Sequence, residues 1–184
     1  MMYVTRGDGK IAALNPATGQ ELWVSETTGR ISARGINYWQ STDGSDRRLV
    51  FLNDGLVRAI DARTGKYIPN FSIDLRDALP EGHAATPRPL MTNNPGRIFE
   101  DTYIVSLPAG AYDYASSPGD IQAYDIRTGA LKWVFNVVPR VGQFGSDTWP
   151  ERDREKFGGV HNWSESTVDP ELGIVFIPTG TARY

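Results

Sequence analysis

Apolar residues along this chain fall in short runs of four or five, and a glycine, asparagine or aspartate follows each run within a few positions. Ile11-Ala12-Ala13-Leu14 and Val57-Arg58-Ala59-Ile60 are such runs, as are Met2–Thr5, 48–52 and Thr102–Ser106. Runs of this length bounded by turn residues predict short strands. Arg6-Gly7-Asp8-Gly9 and Asn53-Asp54-Gly55 predict tight turns between them. Helical periodicity is weak throughout, and only 151–156 could form a short helical turn.

The strands recur as a unit. IAALNPATGQELW (11–23), VRAIDARTGKYIP (57–69) and IQAYDIRTGALKW (121–133) share Ala-x-Asp/Asn-x-x-Thr-Gly-x-x-x-Trp, with Pro69 where the first and third copies have Trp. An Asp or Asn side chain can accept bonds from backbone N–H groups ahead of it, and the glycine supplies a positive φ, so each copy reads as a β-hairpin ending on Trp. With a further strand and turn upstream, the unit is that of a β-propeller blade. The spacing is 46 residues from Ala13 to Ala59 and 64 from Ala59 to Ala123. The longer interval predicts an insertion around 79–95. A fourth unit begins late, with strands expected in 164–169 and 173–178 around Pro170-Glu171-Leu172. The fold class is therefore all-β, about three blades plus the start of a fourth, within one partial propeller domain over 1–184 that reads as cut at both ends. A small barrel or sandwich is the alternative.

Composition sharpens this picture. Glycine (19) and proline (12) exceed ordinary usage, as does tryptophan (5). With no cysteine there is no disulfide scaffold, thiolate metal site or Cys nucleophile. His83 and His161 lie too far apart for a paired-histidine zinc motif. A net charge of −3 gives no footprint for nucleic acid. No apolar stretch has the length of a membrane helix, and the first ten residues carry no signal-peptide core.

The hairpin repeat resembles the tryptophan-docking motif of quinoprotein dehydrogenases, eight-bladed propellers that bind pyrroloquinoline quinone (PQQ) and usually calcium. Further segments carry the likeness in order: Ser32-Ala33-Arg34-Gly35-Ile36-Asn37-Tyr38-Trp39, then Asn70-Phe71-Ser72-Ile73-Asp74-Leu75-Arg76, then Pro139-Arg140-Val141-Gly142-Gln143-Phe144-Gly145-Ser146-Asp147-Thr148-Trp149. Gly158-Gly159-Val160-His161-Asn162-Trp163 and Pro178-Thr179-Gly180-Thr181 complete it. The resemblance implies a fragment of an oxidoreductase acting on a sugar, glucose-type favoured, or an alcohol. Electrons would pass to a quinone or cytochrome, in the periplasm, with membrane association of the parent protein left open. A non-catalytic propeller scaffold that binds protein partners shares the hairpin repeat and is the alternative.

By the same resemblance, Arg34 pairs with a PQQ carboxylate, for which a guanidinium fork is suited. Trp163 is the stacking floor, having the largest flat side chain; the alternative is a core Trp, as Trp23 and Trp133 are read. His161 bonds a quinone oxygen or is a structural hydrogen-bonder. Thr86 contacts a carboxylate or is a turn residue. For calcium, Asp113 stands one place beyond the position of the expected acid, and Thr181 stands where Asn is expected. The catalytic Asp of the family lies on a later blade, beyond Tyr184, so no catalytic residue is assigned and this stretch alone is expected to be inactive.

Overall fold

The computed structural model describes residues 1–79, 92, 94–107, 118–152 and 154–182. Thirteen strands are found among them: β1 (Met2–Thr5), β2 (Ile11–Leu14), β3 (Glu21–Val24), β4 (Asn37–Gln40), β5 (Arg47–Asn53), β6 (Leu56–Asp61), β7 (Tyr67–Asp74), β8 (Arg97–Phe99), β9 (Thr102–Ser106), β10 (Ile121–Asp125), β11 (Leu131–Phe135), β12 (Thr167–Asp169) and β13 (Ile174–Phe176). They form four antiparallel meanders in chain order, β1-β2-β3, β4-β5-β6-β7, β8-β9-β10-β11 and β12-β13. Three short 3-10 turns, Leu75–Ala78, Ser146–Thr148 and Arg154–Lys156, are the helical content among the described residues. The last falls within the stretch expected to be helical. No helix among the described residues is long and apolar enough to cross a membrane.

Successive side chains of a strand point to opposite faces, and here both faces are covered. Leu49 and Phe51 of β5 pack with Ile11 and Ile31, and Tyr3 and Trp23 of the first sheet lie against them. Val50 and Leu52, on the other face, pack with Tyr103, Val105 and Tyr124 of the third sheet. The third sheet repeats the arrangement, since Ile104, Ile121 and Ala123 turn toward Val175 and Ile177. Each sheet is thus stacked on the next, which explains the unbroken apolar run Leu49-Val50-Phe51-Leu52.

The repeated turn is built as its sequence predicts. Asp61 Oδ1 accepts from the N–H groups of Arg63 (2.7 Å) and Thr64 (3.1 Å). Asp125 Oδ1 does the same with Arg127 (3.0 Å) and Thr128 (2.9 Å). Gly65 closes its turn at φ +73°. A Cβ built there would lie 2.6 Å from Cε3 of Trp23, so the indole of the first sheet seats directly on this glycine of the second. The fourth unit uses the same device without threonine, because Asp169 Oδ1 accepts from Glu171 and Leu172 N–H, both at 3.0 Å, and Gly173 has φ +64°. Its strands are shorter than the sequence implies, leaving 164–166 free for the site described below.

Pro69 does not occupy the Trp position. The β6–β7 register slips between Arg58 and Ile60, and Asn70 takes φ +60° in the bulge. The extra residues bring Phe71 into the docking place, with its ring carbon 3.9 Å from where a Cβ on Gly129 would stand. Phe71 and Ile73 thus do on the third sheet what Trp23 does on the second. Trp133 remains 42% exposed.

Carboxylates in these turns make stability depend on pH. The Arg63 guanidinium holds Asp61 below the usual carboxylate range against opposing burial, and Arg76 does so for Asp74. The Ser41 hydroxyl, with Ser45, lowers Asp43 to about 2. A folded-state pKa below the unfolded one, ~3.9 for Asp, adds stability above the unfolded value that is lost as pH falls through the folded one. The urea midpoint is therefore expected to hold from pH 7 to about 5 and to fall from about 4 toward 2. The double variant Asp43→Asn, Asp61→Asn should flatten that fall, and an equally steep fall in the variant would contradict the assignment.

Candidate functional site

The segments between sheets emerge at one end of the stack. There Ile31 bridges Asn53, and the Asn37 side-chain amide donates to the Pro95 carbonyl at 2.7 Å. Residues of 25–36, of 94–96 and of 158–166 meet at Trp163, which is 58% exposed. From the first segment, Arg34 donates through Nη1 to the Trp163 carbonyl. From the second, Asn94 Nδ2 donates to the Ser164 carbonyl at 2.6 Å and to that of Asn162 at 3.4 Å. Asn162 is buried. Its Oδ1 accepts from Ser164 N–H (2.9 Å), its Nδ2 donates to Ser166 Oγ (2.6 Å), and its backbone N–H donates to Ser106 Oγ (3.0 Å). Trp163 therefore sits between a buried Asn162 and a partly buried Ser164, both held by hydrogen bonds, while it is itself exposed.

Four of the six residues singled out in the sequence lie among the described residues, and they come together. Arg34 and Trp163 share a hydrogen bond. Nδ1 of His161 faces the Gly159 carbonyl, in keeping with the structural alternative, and the His161 carbonyl accepts from Gly180 N–H at 3.1 Å. Gly180 lies beside the indole, because a Cβ there would lie 3.4 Å from Cδ1 of Trp163. Thr181 follows it and is exposed. Thr86 and Asp113 lie outside the described residues. No three His, Asp or Glu side chains converge among the described residues. Calcium takes six to eight oxygens, and the Thr181 hydroxyl alone is far short of that set.

An outward indole face beside a guanidinium matches what a flat, carboxylate-bearing cofactor needs. Arg34 spends one Nη1 hydrogen on the Trp163 carbonyl, and the rest of its five donors remain for an anion. Sequence reasoning missed the supports Asn94, Ser106, Gly119 and Ser166. Asn94 lay within the presumed insertion, in an Asn-Asn-Pro-Gly stretch that carries an ordinary turn signal.

Stacked antiparallel sheets of two to four strands with Trp-on-Gly docking are successive blades of a β-propeller, and an exposed indole stands where the connectors meet. The profile of the PQQ glucose/ethanol/alcohol dehydrogenase β-propeller domain matches residues 1–184, and the chain belongs to that family. It is 26% identical to quinoprotein glucose dehydrogenase A of Acinetobacter calcoaceticus over 97% of this chain and 25% of that protein. It is 28% identical to quinoprotein glucose dehydrogenase of Gluconobacter oxydans, again over 97% of the chain and 25% of the relative. Quinohemoprotein alcohol dehydrogenase ADH IIB of Pseudomonas putida is 26% identical over 98% and 26%. The crystal structure of quinohemoprotein alcohol dehydrogenase from Comamonas testosteroni superposes with a TM-score of 0.67 at 22% identity, covering 98% of this chain and 28% of that one, and so shares the fold. The chain spans about a quarter of the length of these relatives.

Proposed function

We propose that these residues form part of the PQQ-binding end of a dehydrogenase that oxidises a sugar, glucose-type before others, or an alcohol. Electrons would leave to a quinone or cytochrome, and the protein would work in the periplasm. The observation that carries the reading is the hydrogen bond from Arg34 to the backbone carbonyl of Trp163, 129 positions away in sequence, which brings a cation to a residue whose side chain is exposed. When bound, PQQ supplies an electrophilic quinone carbon able to accept hydride from a carbinol. The chain's own part is binding and orientation. Trp163 offers the flat surface, and Arg34 clamps a carboxylate with its remaining N–H donors. Calcium, with Asp113 and Thr181 as its ligands from this chain, belongs to the proposal through the resemblance alone, and no step is assigned to it.

Titration of the protein with PQQ, followed by tryptophan fluorescence, tests the reading. Arg34→Ala is expected to weaken binding by about 1.5–3 kcal/mol, the worth of a hydrogen bond to a charged group, or roughly 10–150-fold. Trp163→Ala should weaken it by about tenfold through lost stacking. Unchanged affinity in both variants would overturn the reading. A protein that binds no PQQ yet captures protein partners would establish the scaffold instead.

A further inference from the structure

We infer that Asn94 is a positioning residue for the Trp163 indole. The inference rests on the reading of Trp163 as the cofactor's stacking surface. Asn94 is 2% exposed, and each polar atom of its side chain has a partner. Its Nδ2 spans the carbonyls of Asn162 and Ser164, the residues on either side of Trp163, and its Oδ1 accepts from Gly96 N–H at 2.9 Å. Its backbone N–H donates to Thr92 Oγ1 at 3.0 Å. One amide therefore grips both flanks of a single residue and anchors them to the segment that leads into β8.

The geometry requires an amide. Two backbone carbonyls face the same atom, so that atom must be a double donor, and the adjacent Gly96 N–H needs an acceptor on the same side chain. Asparagine satisfies both with one planar group. Aspartate would place an oxygen against two carbonyl oxygens, and alanine would leave both carbonyls without this donor in a buried setting. Either change frees the turn that holds the indole, while Trp163 and Arg34 stay chemically intact. Asn162 shapes the turn from inside through Ser164 and Ser166. Asn94 ties it to a different blade, and so it fixes where the ring stands relative to Arg34.

The test uses three measurements on the purified protein. In the cofactor-free state, the Trp163 contribution to fluorescence, taken as the difference between the wild type and Trp163→Phe, is quenched with acrylamide. Asn94→Ala and Asn94→Asp are expected to raise the quenching constant at least about twofold, since the ring gains freedom. PQQ affinity should fall about tenfold in each. In the Trp163→Ala background, Asn94→Ala should cost no further affinity, because its effect passes through the indole. Additive losses would mean that Asn94 acts elsewhere and would overturn the inference. So would unchanged affinity in the Asn94 variants when Trp163→Ala alone weakens binding. Unchanged affinity in Trp163→Ala would instead overturn the stacking reading beneath it. Should Asn94→Ala fail to fold, Asn94→Ser, which keeps one hydroxyl donor, carries the same three measurements with smaller shifts in the same direction.

Discussion

Gly119→Ala is expected to destabilise the protein by about 3 kcal/mol or more, the upper end of what overpacking costs, and to disrupt the cofactor end in the same step. A Cβ on residue 119 would lie 2.2 Å from Cα and 2.3 Å from N of His161, and 2.5 Å from the carbonyl carbon of Val160. These are backbone atoms, so no side-chain rotation relieves the clash. The segment 160–163 must move away, and with it the base of Trp163. The displacement would also part a hydrogen-bonded unit, because Ser106 Oγ donates to the Gly119 carbonyl at 3.0 Å while accepting from Asn162 N–H at 3.0 Å. Urea unfolding should show a lower midpoint at unchanged slope, the mark of lost stability rather than altered compactness. PQQ affinity at low urea should fall with it. Gly142→Ala is the control: that glycine has open space around it, and the strain of its φ of +85° is local to its own loop. A Gly119→Ala protein as stable as the wild type would refute the close approach.

Why Gly119 escapes a sequence reading, when the turn glycines do not, is a matter of range. Gly19, Gly65 and Gly129 close turns with Asn15, Asp61 and Asp125 four residues earlier, and a four-residue device is visible in the chain as written. Local chemistry therefore made the hairpins, the blade repeat and the all-β class legible. Phe71 shows the limit, because the bulge that lifts it into the Trp position depends on how β7 pairs with β6. At the site, Arg34 and Trp163 were singled out through resemblance to a family. Their supports were not. Asn94 bonds carbonyls 68 and 70 positions away, and a carbonyl is the same in every residue. Thr86 and Asp113 fall outside the described residues, so the carboxylate and calcium contacts expected of them rest on the sequence alone.

The same distinction between local pattern and burial sets the second large effect, at Arg48. Among the described residues are three Asp-x-Arg ion pairs of nearly equal length: Asp46–Arg48 at 2.6 Å, Asp61–Arg63 at 2.7 Å and Asp74–Arg76 at 2.5 Å. Nothing in the triplets ranks them. In the structure the Arg63 side chain is 51% exposed and that of Arg48 only 9%. Arg48 Nη1 also crosses to the third sheet, donating to the carbonyls of Ile126 (3.0 Å) and Arg127 (2.9 Å). Its guanidinium lies 5.4 Å from the centroid of the Phe71 ring and 5.7 Å from that of Trp39. Arg48→Ala removes a cation from between two aromatic rings and leaves two carbonyls without that donor. It also strips Asp46 of its partner, although that carboxylate is about a third exposed and partly rehydrates. The expected loss is about 2–4 kcal/mol, below the full cost of breaking a wholly buried pair because of that rehydration. Arg63→Ala, at a guanidinium half in water that reaches no second sheet, should lower the midpoint far less. Arg48→Lys keeps the charge and loses the fork that reaches Asp46 and both carbonyls at once, so it should recover less than half of the loss. Urea midpoints of the three variants at one salt concentration decide the matter. Equal losses for Arg48→Ala and Arg63→Ala would show that the tie between the second and third sheets rests on their apolar faces alone.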